Sequence, residues 1–272
     1  MTSTASASDQ AFLGVAALLF VASAATTIVW CASMSAMGGM AMPGGWTMSM
    51  AWMRMPGQSW VDAAAMFLGM WVVMMVAMML PSLIPMLWRY RQTVATTGET
   101  RLGRLTALVS IGYFFVWTVI GAVVYSVGAA VSAIAMSQPA VARAAPIAAG
   151  AIVLVAGWLQ FTQWKLRELA CCRQALDRAR TLASDAATAY RYGVRLGLHC
   201  AKCCGGLIAI LLVVGVMDLV AMAVIAAAIT VERVLRAGER VARIMGVVII
   251  ATGLLLIART LSGVENLAHA HV

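Results

Sequence analysis

The sequence predicts an all-α fold, a polytopic membrane helix bundle with six spans. Three observations carry that prediction. Hydrophobic residues make up 63% of the 272 and charged residues only 11%, with a mean hydropathy of +0.92. Soluble domains carry roughly 25% charged residues, so these charges are too few to cover a globular surface, and a soluble enzyme is excluded. Several apolar runs approach the length of about 20 residues that a spanning helix needs. The cations, finally, are gathered in short connections between those runs.

Taken in order, residues 1–10 contain no Lys or Arg and so lack the basic start of a secretory signal. The apolar run 11–33 therefore reads as a first span that is retained. Further spans are expected over 61–87, 105–135, 146–164 and 244–261, and a sixth from Gly205 to Thr230, interrupted only by Asp218. Nothing indicates a strand. If 205–231 instead turns back near Gly215–Asp218, the chain makes seven crossings with two short halves. No repeat or linker divides the chain, so 1–272 reads as a single transmembrane domain with an outer loop over 34–60 and a basic cytoplasmic segment over 165–197.

Orientation follows from charge. With the N-terminus inside, Arg89, Arg91, Arg101, Arg104, Lys165, Arg167, Arg173, Arg178, Arg180, Arg191 and Arg195 face the cytoplasm, against only Arg54 and Arg143 outside. The net charge of +9 thus reports topology and contact with anionic lipid. The bilayer is the expected partner and nucleic acid is not. A single span over 205–230 would leave Arg233, Arg236, Arg240 and Arg243 outside, against the rule.

Methionine is the most uneven feature, with 15 of the 20 between Met34 and Met86. In the outer loop, Met34, Met37, Met40 and Met42 form an M-x-x-M-x-x-M-x-M run, followed by Met48, Met50, Met53 and Met55 among Gly and Pro. Thioether sulfur is a soft, uncharged donor suited to Cu(I), with no proton for the metal to displace. The run resembles the methionine motifs of copper uptake and resistance proteins. The plainer reading is a loop lying on the bilayer, anchored by Trp46, Trp52 and Trp60. On the second span, Met66, Met70, Met74 and Met78 form an i, i+4 row whose drift brings two or three, not all, to one ion. Gap-filling by flexible Met explains such a row equally well.

Cysteine is placed toward the other side. Cys200, Cys203 and Cys204 follow His199 in HCAKCC, with Cys171 and Cys172 upstream and Cys31 alone near the outer face. In a reducing compartment these are metal ligands or redox thiols before they are disulfides. Cu(I) is the expected ion, and zinc is an alternative at the Cys/His cluster. Small residues at a helix start remain the bland account. His269 and His271 offer a further pair at the C-terminus. Asp218, flanked by Met217 and Met222, is expected to face the membrane interior, where an ionisable group is functional by default.

Two segments, Trp71–Pro85 (WVVMMVAMMLPSLIP) and Cys200 through GVMDLVAM to Glu232 and Arg233, together resemble a bacterial family of predicted metal-binding integral membrane proteins of unknown function. The resemblance covers about 60–235 and departs at Asp218, where Asn is common, and at Gly205, where Trp is. It implies metal binding in a bacterial cytoplasmic (inner) membrane without naming the ion. The leading expectation is a protein that binds Cu(I) and translocates or delivers it, working with a metallochaperone or metalloenzyme subunit. A membrane thiol oxidoreductase using Cys203 with Cys200 or Cys204, and an assembly subunit of a membrane metalloenzyme, are the alternatives. No hydrolytic triad, carboxylate pair or phosphate loop is present.

Overall fold

The computed structural model describes residues 7–55, 57–95, 101–174, 185–235 and 238–269. Its elements are α1 (Ala7–Ala36), β1 (Gly39–Met42), β2 (Trp46–Ser49), α2 (Trp60–Ala95), α3 (Leu102–Ser137), α4 (Pro139–Leu159), α5 (Gln163–Gln174), α6 (Ala186–Val214), α7 (Leu219–Val234) and α8 (Gly238–His269). Six of them, α1, α2, α3, α4, α6 and α8, are long and apolar enough to cross a membrane, and the all-α bundle with six candidate spans is the fold that forms. The long helices α1, α2, α3, α4 and α6 alternate in direction, and α7 returns the chain so that α8 runs the same way as α6. One end of the bundle therefore carries the methionine-rich loop and the other carries the basic connections.

Close helix contact is made through small residues. α3 lies along α6 with Gly112 against the Tyr190 carbonyl and Gly193 against the Val109 carbonyl, and α4 lies along α8 through Gly150, Gly157 and Gly253. Where lipid replaces water, helix association rests on this kind of van der Waals fit. α2 runs through the core, where the Trp71 indole donates to the Trp117 carbonyl at 2.8 Å. α1 is peripheral. It is tied at the basic end by Arg91, which donates to Ser8 and Asp9 and lies over the Phe12 ring.

Three local expectations are corrected. The outer loop holds an antiparallel hairpin that the Gly- and Met-rich sequence did not announce, with Met40 opposite Met48 and Met42 opposite Trp46. Gly44 and Gly45 make its turn at φ +105 and +76, values that favour glycine. The hairpin is seated on the bundle: Trp46 Nε1 donates to the Ala142 carbonyl at 2.8 Å, and Met42 and Met48 pack on Ala135 and Ala142. The fourth span stops at Leu159 rather than running to residue 164, because the chain turns through Gln160–Thr162.

The stretch from Gly205 to Thr230 is not one helix. α6 begins at Ala186, inside the segment read as cytoplasmic, and the chain reverses at Gly215, whose φ of +142 favours glycine. α7 returns as 16 residues, a rise of about 24 Å against a hydrocarbon core of about 30 Å. This is the hairpin alternative, and it removes the charge conflict by returning Arg233, Arg240 and Arg243 to the basic end. It also moves Asp218. The residue is exposed at the methionine end, where its carboxylate caps α7 by accepting from Ala221 N at 2.9 Å.

Candidate metal centre

The thiols of α6 lie buried toward the basic half of the bundle, enclosed by side chains of α2, α3 and α7. Cys200 and Cys204 are one turn apart on the same helix face, with their sulfurs 3.8 Å from each other. Met79 of α2 brings its sulfur to 4.0 Å from Cys200 Sγ, and Tyr113 of α3 donates its hydroxyl to the same sulfur at 2.9 Å. Arg233 of α7 completes the shell. One guanidinium nitrogen lies 3.1 Å from Cys200 Sγ and donates to Ser82 Oγ at 2.9 Å, and the other lies 3.2 Å from Met86 Sδ. Cys200, Met79 and Tyr113 are fully buried and Arg233 is only 4% exposed.

Local sequence explains how α2 delivers these groups. Pro81 and Pro85 remove two backbone donors within the helix. Ser82 sits between them, donating back to the Met79 carbonyl at 3.0 Å and leaving its oxygen to receive Arg233. Two sulfur–sulfur separations of 3.8 and 4.0 Å are what two bonds of about 2.3 Å span when they open at roughly 110–120°, taking the thiolate–zinc length as the guide.

A second buried layer backs the thiols. Lys165 of α5 donates to the Cys203 carbonyl at 2.6 Å and to Glu232 of α7 at 2.8 Å, and Gln160 reaches the other oxygen of Glu232 at 3.4 Å. Burial pushes the Lys165 ammonium down, but the charges of Cys203 and Glu232 more than reverse it and hold it above the ordinary lysine value. His199 is turned to α5, with Nδ1 2.9 Å from Glu168, whose other oxygen faces Lys202 at 3.9 Å. It stands apart from the thiol cluster. Among the described residues no three His, Cys, Asp or Glu side chains gather as ligands of one ion, and Met79 adds a sulfur beside the Cys200–Cys204 pair.

At the opposite end a cavity of about 170 Å³ is walled largely by methionine. Met34 comes from the end of α1, Met37 from the turn just after it, Met50, Met53 and Met55 from the loop, and Met66 and Met70 from α2. The predicted sulfur donors therefore separate. Met34, Met37, Met66 and Met70 share this cavity. Met40 is exposed on the hairpin and Met42 is buried under it. Met74 and Met78 are buried in α2 where it faces α1 and α7, beside Met222. Cys31 pairs with Met217 across the α6–α7 turn, their sulfurs 3.9 Å apart. His271 lies outside the described residues, as do the side chains of Cys171, Cys172 and His269.

The sequence reading did not find Arg233, Tyr113, Ser82 or Lys165 as members of a site, nor Met79 as the methionine that meets the thiols. Arg233 did carry a signal. It follows Glu232 at the end of a long apolar run, and a charged pair there belongs to the membrane interior if the chain has turned at Gly215.

A model of the PpoB2 family, described as copper chaperone, matches residues 68–256, and the chain belongs to that family. No curated protein and no solved structure matches it. The matched stretch contains the whole thiol cluster and most of α2, and membership sets the chain among proteins that handle copper.

Proposed function

We propose that this copper-chaperone family member holds Cu(I) inside the membrane between Cys200, Cys204 and Met79, and delivers it to a protein partner at the basic, cytoplasmic end. The observation that carries the reading is the meeting of two thiols and a thioether at 3.8 and 4.0 Å beside a buried guanidinium. Soft sulfur donors favour Cu(I) over harder ions. A monovalent ion between two thiolates and a thioether leaves one net negative charge, and Arg233 supplies the positive charge that offsets it where no water does. A divalent ion in the same set would leave Arg233 uncompensated, so charge as well as softness favours Cu(I).

The basic connections support placement in a bacterial cytoplasmic membrane with the N-terminus inside. The thiols then lie toward the reducing side, where they stay free to bind metal, and none of Cys31, Cys200, Cys203 and Cys204 is in a disulfide. Release needs the helices packed around the thiols to part. α5 is the short helix at the basic end, tied to α7 and α6 through Lys165 and Glu168.

The test is competition for Cu(I) between the full-length chain in nanodiscs and a chromogenic Cu(I) chelator. Wild type should withdraw copper from the chelator, and Cys200→Ser should lose that portion which Cys204→Ser also loses. Equal retention by wild type and by the double serine variant would overturn the reading.

A further inference from the structure

Among the described residues, seven of the twelve side chains around the cavity at the loop end are methionines, and none of the twelve is Leu, Ile or Val. Those three residues fill apolar space elsewhere in the bundle, so a pocket built only for packing would have used them. Methionines that do pack look different here. Met42 and Met48 are 8% and 3% exposed beneath the hairpin, whereas Met37, Met55 and Met66 keep 49%, 38% and 58% of their surface exposed around a hollow. From this contrast we infer that the cavity is a second copper site, a thioether-only capture site for Cu(I), separate from the thiol cluster. It rests on the copper-handling reading but not on the assignment of Cys200 and Cys204.

The donors are held by three elements that the fold locks together. Met34 stands on the last turns of α1. The loop donors are fixed because Ser49 Oγ caps the turn at Ala51 N at 3.3 Å, and because Trp52 packs on Phe67 at 5.2 Å and lies over Gly128. Gln58 ties the loop's end to α2, accepting from Met55 N at 3.3 Å and turning its amide toward Met66 Sδ at 2.9 Å. A set of soft, uncharged donors on fixed supports selects a soft monovalent cation and has little to offer a hard one. The cavity floor is Met70. From Met70 to Met79 the helix rises about 14 Å, and Met74, Met75 and Met78 are buried in that interval.

The test counts ions. Ag(I), a soft monovalent stand-in for Cu(I) that does not oxidise, is titrated into the full-length chain in nanodiscs, and bound metal is measured after removal of the excess. Four proteins are compared: wild type, Cys200→Ser/Cys204→Ser, Met34→Leu/Met50→Leu/Met53→Leu/Met66→Leu, and the combination. Met-to-Leu exchange conserves volume, so elution profile and unfolding temperature serve as fold controls. The site predicts that the leucine substitutions remove one ion from wild type and remove the ion that remains in the serine variant, whose absorption edge shows sulfur neighbours. Equal binding by the serine variant and the combination overturns it, while loss of an ion in the serine variant alone would leave the thiol reading intact. If the serine substitutions remove nothing and the leucine substitutions remove everything, the thiol reading fails and this one stands.

Discussion

Arg233 decides how the thiol cluster works at the scale of single residues. A guanidinium this deep in a membrane bundle is costly unless it is well partnered; Arg233 meets Ser82, Met86 and Cys200, the last at 3.1 Å and a thiolate ligand in the proposed copper site. Arg233→Met should leave both thiols in place yet weaken Cu(I) retention by about 10–100-fold, the usual cost of losing a supporting partner of a metal ligand. Arg233→Lys should recover part of it, and chelator competition measures both. Lys165 and Glu232 make a different prediction, because they balance each other. Lys165→Met strands a buried carboxylate and should cost about 3–5 kcal/mol in unfolding free energy, while Lys165→Met/Glu232→Leu should return most of that loss. Thermal unfolding of the three proteins in one detergent separates the cases. These residues were not readable in advance. The sequence shows Lys165 and Arg233 only as cations flanking apolar runs, and the positive-inside rule absorbs both as loop charges until the turn at Gly215 is known.

At the scale of elements, the α6–α7 hairpin joins the site to the fold. It presents Cys200 and Cys204 from one arm and Glu232 and Arg233 from the other, and its turn sits at the methionine end. Asp218 caps α7 at that turn, and the proposed copper site does not include it. Asp218→Ala should cost about 1 kcal/mol of stability, as loss of an N-cap does, and leave copper retention unchanged, which unfolding and competition read separately. α3 and α6 meet with no room to spare, so Gly193→Val must push the Val109 backbone away. That variant should destabilise the bundle by roughly 1–3 kcal/mol and displace Cys200 from Tyr113, lowering both unfolding temperature and copper retention. Five of the six long helices were readable from apolar length alone. α6 was not, because its first half carries Arg191, Arg195 and His199 and reads as a loop, although Tyr90 stacks on Tyr192 there and buries it. The β-hairpin was hidden for another reason: a Gly–Met stretch has no β-branched alternation, and its pairing is enforced by seating on α3 and α4.

Across the whole molecule, sulfur is distributed along one axis: a methionine cavity at one end, methionines down α2, and thiols toward the other end. Clustering of Met and Cys in the sequence announced two sulfur-rich regions suited to a soft metal ion, with Cu(I) expected and zinc an alternative at the cysteines. It did not announce their membership, since the loop methionines divide between cavity and packing, and Met79 meets Cys200 only because α2 and α6 pack against α3 together. Membership in the copper-chaperone family agrees with that axis without naming a ligand. The most direct trial of the account is X-ray absorption at the copper edge of the Cu(I)-loaded full-length chain in which Met34, Met50, Met53 and Met66 are leucine, so that the thiol cluster is observed by itself. The account predicts a shell of sulfur alone that disappears when Cys200 and Cys204 are also replaced by serine. A shell dominated by nitrogen or oxygen, or a spectrum indifferent to the serine substitutions, would contradict it.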